Sequence, residues 1–247
     1  MFVSTLTRRR LSYSVAAFVL SFQSFTSQAA LSVSGTRVVV ESDKRSVSII
    51  VRNPSEKTYA AQAWVNTEAD DTTTAVPLIA SPPLFRLDPG KDQQVQINAL
   101  PNTLPSDRES LFYFNVQEIP QVEHTSGNAL NIAIRTRIKL FYRPHTLEGS
   151  SVAKLKDLQW FMREVDGTTQ LIVRNPTPFH VSFVRLEVLA NGKNHLVKNP
   201  EMAAPLSERA FELEGLKYQE GMQVVFAAIN DYGAYTQPLT LPIQAAR

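Results

Sequence analysis

The chain has 247 residues, 43% of them hydrophobic and 19% charged, with fifteen prolines, nine glycines and no cysteine. That balance describes a globular chain with room for one large or two ordinary domains, and it excludes a disulfide framework and a thiol nucleophile. The net charge of +2 rests on the leader: residues 1–29 hold three arginines and no acid, leaving 22 basic against 23 acidic groups and no case for nucleic-acid binding.

Those first 29 residues read as a secretory signal. "TRRR" is the basic n-region, "LSYSVAAFVLSF" the apolar h-region, and "SQA" (Ser27 to Ala29) carries the small residues that cleavage after Ala29 requires. The apolar run falls short of the ~20 residues that span a bilayer. No second hydrophobic segment follows, so an exported protein without stable membrane insertion is expected.

Beyond the leader, short alternating runs recur: "SVSIIVRNP" (46–54), "AAQAWVN" (60–66), "QQVQINAL" (93–100), "LFYFNVQEI" (111–119), "QLIVRNP" (170–176), "HVSFVRLEV" (180–188) and "QVVFAAIN" (223–230). Turn signals such as "NPSE", "DPGK", "VDGT" and "ANGK" separate them, and no segment keeps a 3.6-residue apolar period. Strands at this spacing indicate an all-β chain of sandwiches. "VRNP" occurs at 51–54 and again at 173–176, a separation that suits two modules placed end to end, although two ordinary Asn-Pro turns would read the same.

The longest alternation is "NALNIAIRTRIKLFYRP" (128–144). Leu130, Ile132, Ile134, Ile138, Leu140 and Tyr142 share one parity, interrupted by Thr136, while Arg135, Arg137, Lys139 and Arg143 lie on the other. This predicts one strand well beyond the usual ~5–6 residues. A domain boundary near 145 follows it, giving domains at 30–145 and 146–247.

Motifs for catalysis are missing. His124, His145, His180 and His195 are scattered without metal-ligand spacing, and no nucleophile elbow, P-loop or dinucleotide fingerprint occurs, so neither an enzyme nor a cofactor is expected.

"LPSDRESLFYFNVQEIP" (104–120) resembles the signature of the periplasmic pilus chaperones of the chaperone–usher pathway. Leu104, Pro105, Asp107, Arg108, Glu109, Ser110, Leu111, Tyr113, Asn115, Val116, Ile119 and Pro120 all fit that pattern. "AQAWV", "PPLFRLDPG", "RIKLFYRP", "RNPTPF" and "INDYG" extend the resemblance over nearly the whole mature chain. The short stretch "QVEHTSGN" matches the subclass linked to rod-like pili, and the second-domain cysteine pair of some members is missing.

The resemblance implies two immunoglobulin-like sandwiches in a boomerang arrangement. It also implies a periplasmic, ATP-independent chaperone that completes pilus or fimbrial subunits by donor-strand complementation and delivers them to an outer-membrane usher. Leu130, Ile132 and Ile134 would enter the subunit's groove while the backbone of 129–135 pairs with it. Arg37 and Lys139 would hold the subunit's C-terminal carboxylate and so set the register. Glu109, Arg143 and Asp231 match an ion cluster between the domains. Ser81–Pro82 is a candidate cis bond in family fashion, and dimerisation of the free protein to cap its own edge stays open. The rival readings are a secreted two-domain Ig-like adhesin or structural protein, which needs no cleft cations, and a periplasmic hydrolase, which needs a pocket with His or Asp.

Overall fold

The structure, a computed structural model, describes residues 31–71, 73–120, 132–165, 167–213 and 215–245; the signal segment 1–29 and Leu130 lie outside the described residues. In chain order the first sandwich is built from β1 (Ser32–Val33), β2 (Arg37–Glu41), β3 (Ser46–Arg52), β4 (Tyr59–Asn66), β5 (Leu78–Ser81), β6 (Leu84–Leu87), β7 (Asp92–Ala99), β8 (Ser110–Pro120) and β9 (Arg135–Arg143). One sheet has the order β1-β3-β7-β5 and the other β2-β9-β8-β4-β6.

Alternation decides which side chains meet between these sheets. Val38 and Val40, Ala63 and Val65, Phe112, Phe114 and Val116, and Leu140 and Tyr142 point inward against Ile49, Val51, Val95 and Ile97. The opposite parity of β8 and β9 therefore forms an outer face carrying Tyr113, Asn115, Arg135, Arg137, Lys139 and Arg143.

The second sandwich follows a 3-10 turn at Leu155–Asp157 and comprises β10 (Gln159–Val165), β11 (Thr168–Asn175), β12 (Phe183–Ala190), β13 (Lys193–Leu196), β14 (Ser207–Leu213), β15 (Gln223–Ala228) and β16 (Leu239–Ala245). Their order is β13-β12-β15-β16-β10-β11-β14. β16 runs antiparallel to β15 through Leu239–Pro242 and then parallel to β10 through Ile243–Ala245, which joins the two halves. Trp160 packs on Phe226 and Phe183 with ring centroids 5.3 and 5.6 Å apart, at the centre of this core. In "ANGK", Asn191 and Gly192 both take positive φ (51° and 73°), the conformation a two-residue hairpin loop demands.

The repeated "VRNP" closes a strand the same way in both domains. Asn53 donates to Lys57 O (2.7 Å) and Leu87 O (3.0 Å), and Asn175 donates to Phe179 O and Ala204 O (both 2.8 Å). Each side-chain oxygen accepts the amide and hydroxyl of the residue two positions on, Ser55 or Thr177. Both asparagines are fully buried, so the amide supplies carbonyls that water cannot reach.

Two expectations need correction. The long strand is not continuous over 128–144: β9 starts at Arg135, Ile132 to Ile134 lie outside it, and residues 128–131 fall outside the described residues. The reason is that β2 begins only opposite Lys139, and the next pair of the β8–β9 ladder is closed by a side chain, as described below. The expected strand at 180–188 is β12 at 183–190, because Val181 is held in an isolated bridge with Ala203. The Ser81–Pro82 bond is cis.

Candidate functional site

β2 and β9 run parallel with Arg37 as the register partner of Lys139. Partners in register share a face, so the two cations stand side by side on the outer face, where the first domain meets the second. Arg37 NH1 donates to Ile229 O at 3.0 Å, and Lys139 Nζ lies 3.4 Å from Ser182 Oγ. The Arg37 Nε is buried without a partner among the described residues. Burial pushes the Lys139 ammonium below its usual pKa range and the neighbouring Arg37 pushes it further, against the attraction of Glu68. Burial likewise lowers Arg37, against the attraction of Asp231 and Glu109. Two desolvated cations with spare donors form a site that a carboxylate would relieve.

Ahead of Lys139, β9 pairs with β8 alone among the described strands, so its other edge is free over Arg135–Ile138. Ile132 and Ile134 lead up to that edge at 63% and 51% exposure, while Leu140 is fully buried in the core. The apolar stripe thus leaves its own sandwich part-way along.

The remaining cations of β9 have partners, although the Arg137 Nε makes no hydrogen bond among the described residues. Arg135 forms a two-pronged ion pair with Asp70 and lies over Trp64. Arg137 stacks 3.8 Å from the Tyr113 ring centroid and donates to Thr67 O at 2.7 Å.

At the end of β9 the structure brings Glu109, Arg143 and Asp231 together. Arg143 Nε donates to Glu109 Oε1 at 2.8 Å, while NH1 and NH2 grip Asp231 at 2.8 and 2.9 Å. Asp231 lies in the β15–β16 loop, so the guanidinium spans the two domains. Its planar fork suits two carboxylates in different directions. Burial works against the charge on Arg143, yet the bonds and charges of Asp231 and Glu109 prevail and raise its pKa.

Sequence reasoning missed further members of this junction, among them Ser151, whose hydroxyl donates to Asp231 Oδ1 at 3.4 Å. His180 offers its backbone N–H to Glu109 Oε2 at 2.8 Å, with its ring Nδ1 3.1 Å from the same oxygen. Glu41 approaches Arg143 NH1 at 3.5 Å. Only the pairing of separate strands shows these neighbours, and nothing local in the sequence signals them. Gly233, at φ +85°, adjoins the same junction: a Cβ there would sit 2.5 Å from Thr36 Oγ1.

Residues 30–148 match the N-terminal domain model of the PapD pili and flagellar-assembly chaperones, and residues 153–239 match the PapD C-terminal domain model. The chaperone protein FimB/FhaD of Bordetella pertussis is 38% identical over 97% of both chains. The probable fimbrial chaperone YadV of Escherichia coli is 37% identical over 85% of this chain and 89% of its own. The YadV crystal structure superposes with a TM-score of 0.74, at 36% identity, over 86% of this chain and all of that one. The Salmonella enterica SafB chaperone, solved with the SafA pilin, has a TM-score of 0.74 at 24% identity over 88% of this chain and 98% of that one, a likeness of fold alone. Two immunoglobulin-like sandwiches, both domain models in order and these relatives lead to one conclusion: the chain belongs to the PapD-like family of pilus-assembly chaperones, whose members are not enzymes.

Proposed function

We propose that this chain works in the periplasm, after cleavage at Ala29, as an ATP-independent chaperone for pilus or fimbrial subunits. It completes them by donor-strand complementation and hands them to an outer-membrane usher. The observation that carries the reading is the conjunction at β9: exposed Ile132 and Ile134 beside a free strand edge, with under-neutralised Arg37 and Lys139 where that edge stops. Leu130, Ile132 and Ile134 fill the subunit's groove, and the two cations bind its C-terminal carboxylate. Burial of three such side chains is worth ~5–9 kcal/mol, at ~1.5–3 each. Association costs ~4–15 kcal/mol, so backbone pairing and the carboxylate bonds are also needed.

Domains at 30–145 and 146–247 are held at a working angle by Glu109, Arg143 and Asp231. Domain-model matches that stop at 148 and resume at 153 favour that division.

The test is subunit recovery from periplasm with Arg37→Ala and Lys139→Ala. Both variants should lose capture and keep wild-type circular dichroism and thermal midpoint. Wild-type recovery from either one would refute the anchor.

A further inference from the structure

Glu118 is an acid on the wrong parity. It follows Phe112, Phe114 and Val116 on the core-facing side of β8 and is only 3% exposed. Its Oε1 accepts the backbone N–H of Ile134 at 3.1 Å, and its own N–H donates to Ile134 O at 3.1 Å. Its other oxygen, Oε2, is buried without a partner among the described residues.

The register explains what this contact replaces. The β8–β9 ladder runs from Ser110↔Tyr142 to Gln117↔Arg135, so Glu118 and Ile134 would form the next pair. Such a pair exchanges two main-chain bonds when it is of the hydrogen-bonded kind. Here one of the two is present, while the other goes to the carboxylate instead of the main-chain carbonyl. The ladder is therefore extended by one step through a side chain, at the point where the apolar stripe departs from its own core.

We infer that Glu118 is a positioning residue for the donor segment: it pins Ile134 and so sets the direction in which Ile132 and Ile134 leave the sandwich. This inference rests on the donor reading above. The hold is strong for a reason visible in the site. The Ile134 N–H is the one hydrogen bond the carboxylate makes among the described residues, and losing it would leave a buried carboxylate with none. Burial pushes this carboxyl above its usual pKa range, against the pull of the Ile134 bond, which fits a group short of partners. An apolar residue at 118 would match the parity better, so packing alone does not account for the acid.

The test uses the mature protein with Glu118→Ala and Glu118→Gln, and reads amide exchange at Ile134 together with capture of a purified subunit that lacks its final strand. Loss of a bond to a charged acceptor supports a change of about tenfold or more in Ile134 exchange for Glu118→Ala, with the Phe114 and Leu140 amides unchanged. Capture should slow by a similar factor. Glu118→Gln keeps an accepting oxygen and should restore most of both, which a role in packing alone would not require. Unchanged Ile134 exchange in Glu118→Ala overturns the inference. So does capture that fails equally in both variants while their midpoints stay at wild type. A wild-type protein that captures no subunit would instead overturn the donor reading, and the exchange result would still decide whether Glu118 holds Ile134.

Discussion

Removing the Arg143 guanidinium tests the junction between the domains most directly. The side chain is 9% exposed, that of Glu109 2% and that of Asp231 26%. Removing one partner of a buried pair costs ~3–5 kcal/mol, because the other is left charged and dry. Glu109 would keep the His180 N–H and Asp231 is partly hydrated, so Arg143→Ala belongs near the lower end, ~3 kcal/mol. For a chain of this size ~1 kcal/mol moves the midpoint by ~2–4 °C, which predicts a drop of ~6–12 °C. Because the lost bonds include those crossing to Asp231, the two sandwiches should also uncouple. Calorimetry should then resolve two transitions where the wild type gives one, and scattering should report a wider spread of domain angles. Arg143→Lys keeps the charge without the fork and should recover only part of the loss. A midpoint and scattering profile unchanged in Arg143→Ala would refute the reasoning, since no buried carboxylate could then have depended on that side chain.

Acid should release the same junction. Burial alone would raise the Asp231 carboxyl, but the bonds and charge of Arg143 outweigh it and hold the pKa below the usual range. A folded pKa below the unfolded one gives stability that is complete above the unfolded value, ~3.9, and lost as pH falls through the folded value. Asp231→Asn should therefore lower stability at neutral pH and flatten the acid limb of a midpoint-versus-pH curve; an acid limb as steep as wild type would count against this assignment. For strand donation, Ile132→Asp should abolish subunit recovery while the free fold is unaffected, because the residue is exposed until a groove receives it. Arg135→Gln is the matched control on the opposite parity: Arg135→Asp would set a second carboxylate against Asp70 and disturb the fold itself. Equal recovery losses in Ile132→Asp and Arg135→Gln would count against donation.

Parity made much of this legible in advance. Alternation in "LFYFNV" and "RIKLFYR" separates Phe112, Phe114 and Leu140, which are buried in the core, from Tyr113, Lys139 and Arg143 on the outer face. The echoed "VRNP" anticipated a shared device, since an asparagine, a proline and a hydroxyl residue in sequence already contain the turn that buries Asn53 and Asn175. Legibility ended where contacts join distant strands. His180 reaches Glu109 because β8 and the segment ahead of β12 meet across the domains, a pairing with no local trace. The start of β9 at Arg135 is not readable from alternation, which continues through the sequence ahead of it whether or not a neighbouring strand is there. Glu118 was readable in principle, as an acid on a core-facing parity, although its partner was not.

The last strand places a condition on how the protein can be made. β16 is the element that pairs with both β15 and β10, so until Leu239–Ala245 has arrived the second sandwich has a slot with Trp160 and Phe226 beneath it. A polypeptide that emerges N-terminus first can complete the first sandwich early, since β9 is in hand by Arg143, but the second waits for β16. Asp231, just upstream of β16, joins Arg143 at about the same moment, so the ion bridge between the domains also comes late. The nascent protein thus spends its own interval short of a strand, the condition it is proposed to relieve in others, and ends that interval with its own β16.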